Sequence, residues 1–262
     1  MSRPMHGTIR HRLLVNYAAD PEVATPLLPA GLRPQLVRGR AVLGICVLRL
    51  THLRPAGVPP WLGASSDAAA HRVAVEWDGP DGPEVGVFVL RRDTAQRLPA
   101  LIGGRLFPGV HRRAAFRVDE QREGLHLAYR TGDALEVDVT VGPPGGWSSR
   151  LFADAAGASA FFQAGACGFS SDRRGCLEGI EMLTDQWSAE PVSVTARSSF
   201  YEDPIRFPPG SIHLDAALIM RDLPVTWREV PVPARDDATL TATRVSRAGA
   251  GCRPSRRLGR WG

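Results

Sequence analysis

The chain has 262 residues, 44% of them hydrophobic and 23% charged, so it can bury a real core without disulfide or metal staples and is not a disordered chain. Glycine (27) and proline (22) are abundant, which argues against a helical bundle or a coiled coil. All 32 basic residues are arginine, so chemistry that needs a side-chain amine, such as a lysine Schiff base, a pyridoxal aldimine or a P-loop lysine, is excluded.

The segment HRLLVNY (11–17) predicts a strand. Asp20-Pro21 predicts a short helix with Asp as N-cap and Pro at its first position. RPQLV (33–37) and RAVLGICVLRL (40–50) flank Gly39 as a hairpin. Residues 51–69 read as a long loop, the length of a lid or pocket wall, carrying Trp61. AHRVAVEW (70–77), DGPDGP and EVGVFVLRR (84–92) form the clearest hairpin. Thr94–Ile102 reads as a short helix stopped by Gly103-Gly104. HRRAAFRV (111–118), GLHLAYRT (124–131) and ALEVDVTV (134–141) form a meander. Asp154 and Gly165 bound a helix over DAAGASAFFQAG. LEGIEMLTD (177–185), WSAEPVSVTARSSF (187–200, interrupted at Pro191), SIHLDAALIM (211–220) and VTWREVPV (225–232) read as strands, with Arg221-Asp222 as a turn pair.

About ten strands, three short helices and hairpin connections without a βαβ rhythm predict a mainly β, largely antiparallel, partly or fully closed sheet in one domain, residues 1–234. The net charge of +5 sits in the rest of the chain. Residues 235–262 hold seven Arg against Asp236 and Asp237, whereas residues 1–234 are neutral. That tail reads as disordered, and the body is not expected to bind nucleic acid. Cys46, Cys167, Cys176 and Cys252 form no C-x-x-C pair, and no metal site is legible. Without a secretory signal or a long apolar run, the expected location is cytoplasmic, with no membrane partner.

Alternation on 71–77 puts His71, Val73, Val75 and Trp77 on a core face and Arg72, Ala74 and Glu76 on the other. Arg72 and Glu76 lie about 13 Å apart along a strand and do not pair directly. Inside a barrel such charges call for a partner or a ligand. Arg91-Arg92 puts one guanidinium on each face, and one of the two suits a carboxylate at a barrel mouth. In GGRLFPGVHRR (103–113) a rigid turn can hold Arg105 and His111 toward a pocket, and His111 is the acid/base candidate. His213 and Asp215 share a strand face as a possible couple.

The segments RHRLLVNYAADPEVATPLLPAGLRPQLV, GICVLRLTHLRPAG, SSDAAAHRVAVEWDG, GVFVLRRDT, GGRLFPGVHRRA, SAFFQAGACGFS and SSFYEDPIRFPPGS, in order from about Arg10 to Pro233, resemble the uncharacterised YqjF-like family, grouped with the acetoacetate decarboxylase-like proteins. The resemblance implies an acetoacetate decarboxylase-like β-barrel or cone with a central cavity and a few short outer helices. It supplies no reaction. Acetoacetate decarboxylase itself uses paired lysines after a Gly-Tyr-Pro-type turn. The similar segment here is Phe107–Arg112, which puts His111 and Arg112 near the lysine positions, and neither forms an imine. The resulting expectation is a cavity for a small anionic organic molecule, with Arg72, Arg92, Arg105 and Arg112 as binding residues. Glu76 and His111 are the acid/base candidates, and no cofactor is implied. A non-catalytic sensor or carrier is the alternative. Such barrels often assemble, so a homo-oligomer stays open.

Overall fold

The computed structural model describes residues 3–95, 107–121, 124–142 and 146–233. Its elements are β1 (Met5–Ala19), α1 (Pro21–Ala24), β2 (Arg33–Pro34), β3 (Leu36–Val37), β4 (Arg40–Pro55), β5 (Ala64–Gly79), β6 (Gly82–Thr94), β7 (His111–Gln121), β8 (Gly124–Thr131) and β9 (Glu136–Val141). There follow α2 (Ala155–Ala164), β10 (Cys167–Ser171), β11 (Leu177–Leu183), β12 (Glu190–Val192), β13 (Val194–Ser198) and β14 (Ile212–Val230). No helix among the described residues is long and apolar enough to cross a membrane.

Strands β6, β10, β11, β14, β1, β4 and β5 hydrogen-bond in that order, and β5 pairs back to β6, so the sheet closes into a ring. Six of its seven steps are antiparallel, and the β6–β10 step is parallel. An odd ring cannot alternate direction all the way round, so at least one parallel step is forced. The end of β6 then pairs in parallel with β7, from which a second sheet, β7-β8-β9-β13, runs on antiparallel.

The ring strands bury both faces. Leu13, Val15, Leu43, Ile45, Val73 and Val75 point outward to Leu127, Tyr129, Val137 and Val139 of the second sheet. Leu14, Cys46, Ala74 and Leu218 point inward and meet Phe152, Ala158 and Phe162 at one end. Two-sided burial explains why AVLGICVL is apolar throughout instead of alternating. A further apolar cluster holds Ile9, Leu50, Leu53 and Trp227.

Several expectations change. Residues 51–69 are not a long loop. β4 and β5 run through most of them as paired strands, with a register shift between Leu50 and Leu53, leaving a turn and a short 3-10 segment, Pro60–Leu62, with Trp61 80% exposed. Ala and Ser there have little intrinsic strand preference, and pairing overrides it. Arg221-Asp222 is no turn, because β14 passes straight through it; Asp222 takes φ 50° and pairs with Arg10. The 187–200 segment breaks at Ser193, not Pro191, since β12 joins β14 and β13 joins β9. β10 was not expected; its short Gly- and Ser-containing stretch is held by neighbours on both sides. Asp20 precedes α1 as expected, but its carboxylate pairs with Arg40 and does not cap the helix. Thr94 ends β6, and the rest of the helix expected to Ile102 lies outside the described residues, as do Arg105 and the tail 235–262. The helix bounded by Asp154 and Gly165 is present, with Asp154 accepting from the Gly157 amide at 2.7 Å.

Candidate functional site

Within the ring lies a mostly apolar cavity of about 120 Å³. Arg12, Cys46, Arg72, Arg92 and His111 line it, among Leu48, Val87, Val89, Phe107, Met182 and Trp227. Inward-facing residues are set by strand alternation. On β1 these are Arg12, Leu14 and Asn16, opposite Leu48, Cys46 and Gly44 of β4. On β5 they are Ala70, Arg72 and Ala74.

Strand β6 carries the decisive irregularity. Arg72 pairs with Val89 but His71 pairs with Arg91, so Leu90 is an extra residue, a β-bulge. Before it Val87 and Val89 face inward. After it the parity flips, so Arg92 faces the cavity and Arg91 faces outward. Outside, Arg91 binds Asp93 at 2.9 Å and Asp133 at 2.7 Å.

Two glycines make room for the inner groups. A Cβ on Gly44 would stand 2.7 Å from the Val15 carbonyl and 3.3 Å from Arg72 Nη2. In the Phe-Pro-Gly turn, Gly109 takes φ 86°, and a Cβ there would meet Ser170 Cβ at 2.5 Å. The Gly109 amide donates to Glu178 Oε2 at 2.9 Å. The turn thereby sets Phe107 and His111 on the cavity wall. His111 Nε2 donates to the Phe107 carbonyl at 3.0 Å; a carbonyl only accepts, so this nitrogen carries the proton.

The electrostatics are one-sided. Arg72, 3% exposed, donates from Nη2 to Asn16 Oδ1 at 2.6 Å and lies 4.7 Å above the Phe162 ring. Its Nε and Nη1 have no hydrogen-bond partner among the described residues. Arg92 donates from Nε to Ser170 Oγ at 3.3 Å and stacks on Phe107. Burial pushes both guanidinium groups down to about 10, still charged at neutral pH. Among the described residues Arg12 hydrogen-bonds to sulfur, Cys46 Sγ at 3.5 Å, Met182 Sδ at 3.7 Å and Met220 Sδ at 3.9 Å, and lies 5.6 Å above the Trp187 ring. Among the described residues the cavity has one acidic residue, Asp93, which holds Arg91 on the opposite face. Three guanidinium groups thus line one cavity with no carboxylate bound to any of them among the described residues.

The structure brings Arg72, Arg92 and His111 together. It does not bring in Glu76 or Arg112. Glu76 follows Ala74 on the inward face, but there β2 pairs with β5 and Arg33 takes the carboxylate at 2.8 Å. Arg112 alternates out of the wall next to His111 and pairs with Asp133 at 3.5 Å. Asp215 forms no couple with His213; it accepts from Ser149 Oγ and the Arg150 amide. Arg12 and Cys46 were missed, although alternation through HRLLVNY and AVLGICVL carries enough signal to put each on a strand face.

A family model described as an uncharacterized conserved protein, DUF2071, matches residues 6–199. Among solved structures, an acetoacetate decarboxylase from Legionella pneumophila is similar with TM-score 0.58 and 12% identity over 88% of each chain. An acetoacetate decarboxylase-like enzyme from Sphingomonas wittichii RW1 is similar with TM-score 0.55 and 14% identity, over 87% of this chain and 91% of that one. The enduracididine biosynthesis enzyme MppR, solved in complex with pyruvate, has TM-score 0.52 and 13% identity over 87% and 91%. At such identities the likeness is one of fold, and it agrees with the architecture expected from the sequence. No curated protein sequence matches the chain.

Proposed function

The chain belongs to the DUF2071 family of uncharacterized conserved proteins, and we propose that its ring cavity binds a small organic carboxylate. The observation that carries this reading is the set of three guanidinium groups, Arg12, Arg72 and Arg92, in an apolar cavity, with no carboxylate bound to them among the described residues. Burying a charge is costly unless it is paired, and a planar guanidinium is matched best by a carboxylate. The pyruvate complex of MppR, a protein of the same fold, favours a short 2-oxo acid as the class to test first. A lysine imine is unavailable to this chain, so any turnover uses other groups. On this reading His111, which lines the cavity, is the group that moves a proton. A carrier or sensor role is the second reading, favoured by the engagement of Asp93, the cavity's one carboxylate among the described residues, with Arg91.

The test is a thermal-shift series on the full chain with pyruvate, 2-oxobutanoate and acetoacetate against their neutral amides. A carboxylate at one hundred times its Kd stabilises by about 2.7 kcal/mol, roughly 5–10 °C for a chain of this size. The shift is expected for the acids, not the amides, and is lost in Arg92→Gln. No shift with any acid overturns the reading. Disappearance of bound acid on incubation with the pure protein decides for an enzyme over a carrier.

A further inference from the structure

We propose that Cys46 is the nucleophile of this cavity and adds to the carbonyl carbon of a bound 2-oxo acid, giving a reversible thiohemiketal. The proposal rests on the carboxylate-binding reading above and adds the chemistry of the ligand's second functional group.

Cys46 faces inward on β4, opposite Leu14 of β1 and Ala70 of β5. It is shielded from bulk solvent and lines the cavity. Arg12 Nε donates to its sulfur at 3.5 Å. Arg72 and Arg92 line the same cavity. A thiolate is the form of cysteine that attacks carbon, and positive surroundings favour it. A second observation points to a ligand independently of the sulfur. Arg72, fully buried in the same wall, leaves Nε and Nη1 without partners among the described residues. A carboxylate held there brings its neighbouring carbonyl into the space that Cys46 also lines. Cys167 differs: it lies outside the cavity wall, and burial pushes its thiol up to about 12.

The step balances without a cofactor. The S–C bond forms as the C=O π bond breaks, the electron pair moves to oxygen, and the proton lost from sulfur ends on that oxygen. His111, on the same wall, is suited to carry it.

The experiment uses the full chain and two alkylating probes of opposite charge, iodoacetate and iodoacetamide, read by peptide mass. Attack on either forms the S–C bond and releases iodide. Free thiols prefer the neutral amide, whereas guanidinium groups beside Cys46 reverse this, with iodoacetate labelling Cys46 about tenfold faster than Cys167. Pyruvate protects Cys46, and Arg92→Gln abolishes the preference for the anion. With carbonyl-13C pyruvate, the bound carbonyl signal moves into the tetrahedral range for the native chain and stays put in Cys46→Ser. The proposal is overturned if Cys46 reacts no faster than Cys167, or if bound pyruvate keeps its carbonyl signal. Cys46→Ser also separates the two claims. A pyruvate thermal shift that survives there alongside either negative result leaves the carboxylate site standing and removes the nucleophile. Absence of any shift in the native chain removes both.

Discussion

Arg72 is held in the cavity by what surrounds it as much as by its own bond to Asn16. Gly44, directly across the β4–β5 pairing, leaves the space its guanidinium occupies. Gly44→Ala puts a methyl group 2.7 Å from the Val15 carbonyl, a contact only backbone movement relieves. We expect a loss of about 1–3 kcal/mol in urea unfolding together with a weaker pyruvate shift. His71, on the opposite face of β5, is fully buried against Ser198, Phe200 and Tyr201. Burial, with the nearby charges of Arg91 and Arg206, pushes it down to about 3. The unfolded chain binds that proton near pH 6.5, so between about 6.5 and 3 it holds more protons than the folded chain, and stability falls as pH falls. Burial lowers His11 as well, with the same sign. His71→Leu therefore costs about 1 kcal/mol at neutral pH through the lost Ser198 bond, yet shows a shallower loss of Tm on acidification than the native chain.

At the level of the strand, one extra residue separates two adjacent arginines into different jobs. The bulge at Leu90 turns Arg92 into the cavity and leaves Arg91 clamping Asp93 and Asp133 outside. Arg91→Gln leaves Asp93 buried and unpaired, and we expect a stability loss of about 3–5 kcal/mol with little change in ligand preference beyond it. Arg92→Gln is expected to do the reverse, holding or raising Tm while abolishing the carboxylate shift, because it removes a buried charge that has no counter-ion among the described residues. Equal effects of the two variants on binding contradict this division. The Phe-Pro-Gly turn is a second such device. Gly109→Ala strains a φ of 86° and drives a methyl into Ser170, the hydroxyl partner of Arg92. A drop of about 2 kcal/mol and a reduced pyruvate shift are expected.

For the whole molecule, ring closure leaves the inner strands without a free edge. β1 and β14 pair along nearly their entire lengths, and β4 runs along the other side of β1. β2, β3 and β12 each pair over two or three residues. In native-state hydrogen exchange the central amides of β1, β4 and β14 are expected to exchange last, near the free energy of global unfolding, and those of β2, β3 and β12 first. Uniform protection across both groups contradicts the ring as the organising element.

Composition and alternation determined much of this by themselves. The absence of lysine removes imine chemistry from every side chain, whatever the fold. Period-two patterning located the 70–92 hairpin, the 111–141 meander and the inward side of β5, because strand faces follow from local geometry alone. Arg72 was legible as a candidate for that reason, whereas His111 was legible from the Phe-Pro-Gly turn that precedes it and from imidazole chemistry. What the patterning could not decide were facts about pairing. Whether 51–69 was loop or strand, which of Arg91 and Arg92 faced inward, and whether Glu76 met a ligand or Arg33 all depend on registers between segments distant in sequence. Arg12 and Cys46 became site residues only when β1 and β4 closed against β14 and β5. A side chain's face is a local property of its strand, but whether that face meets a cavity, another sheet or water is decided by partners the local sequence does not encode.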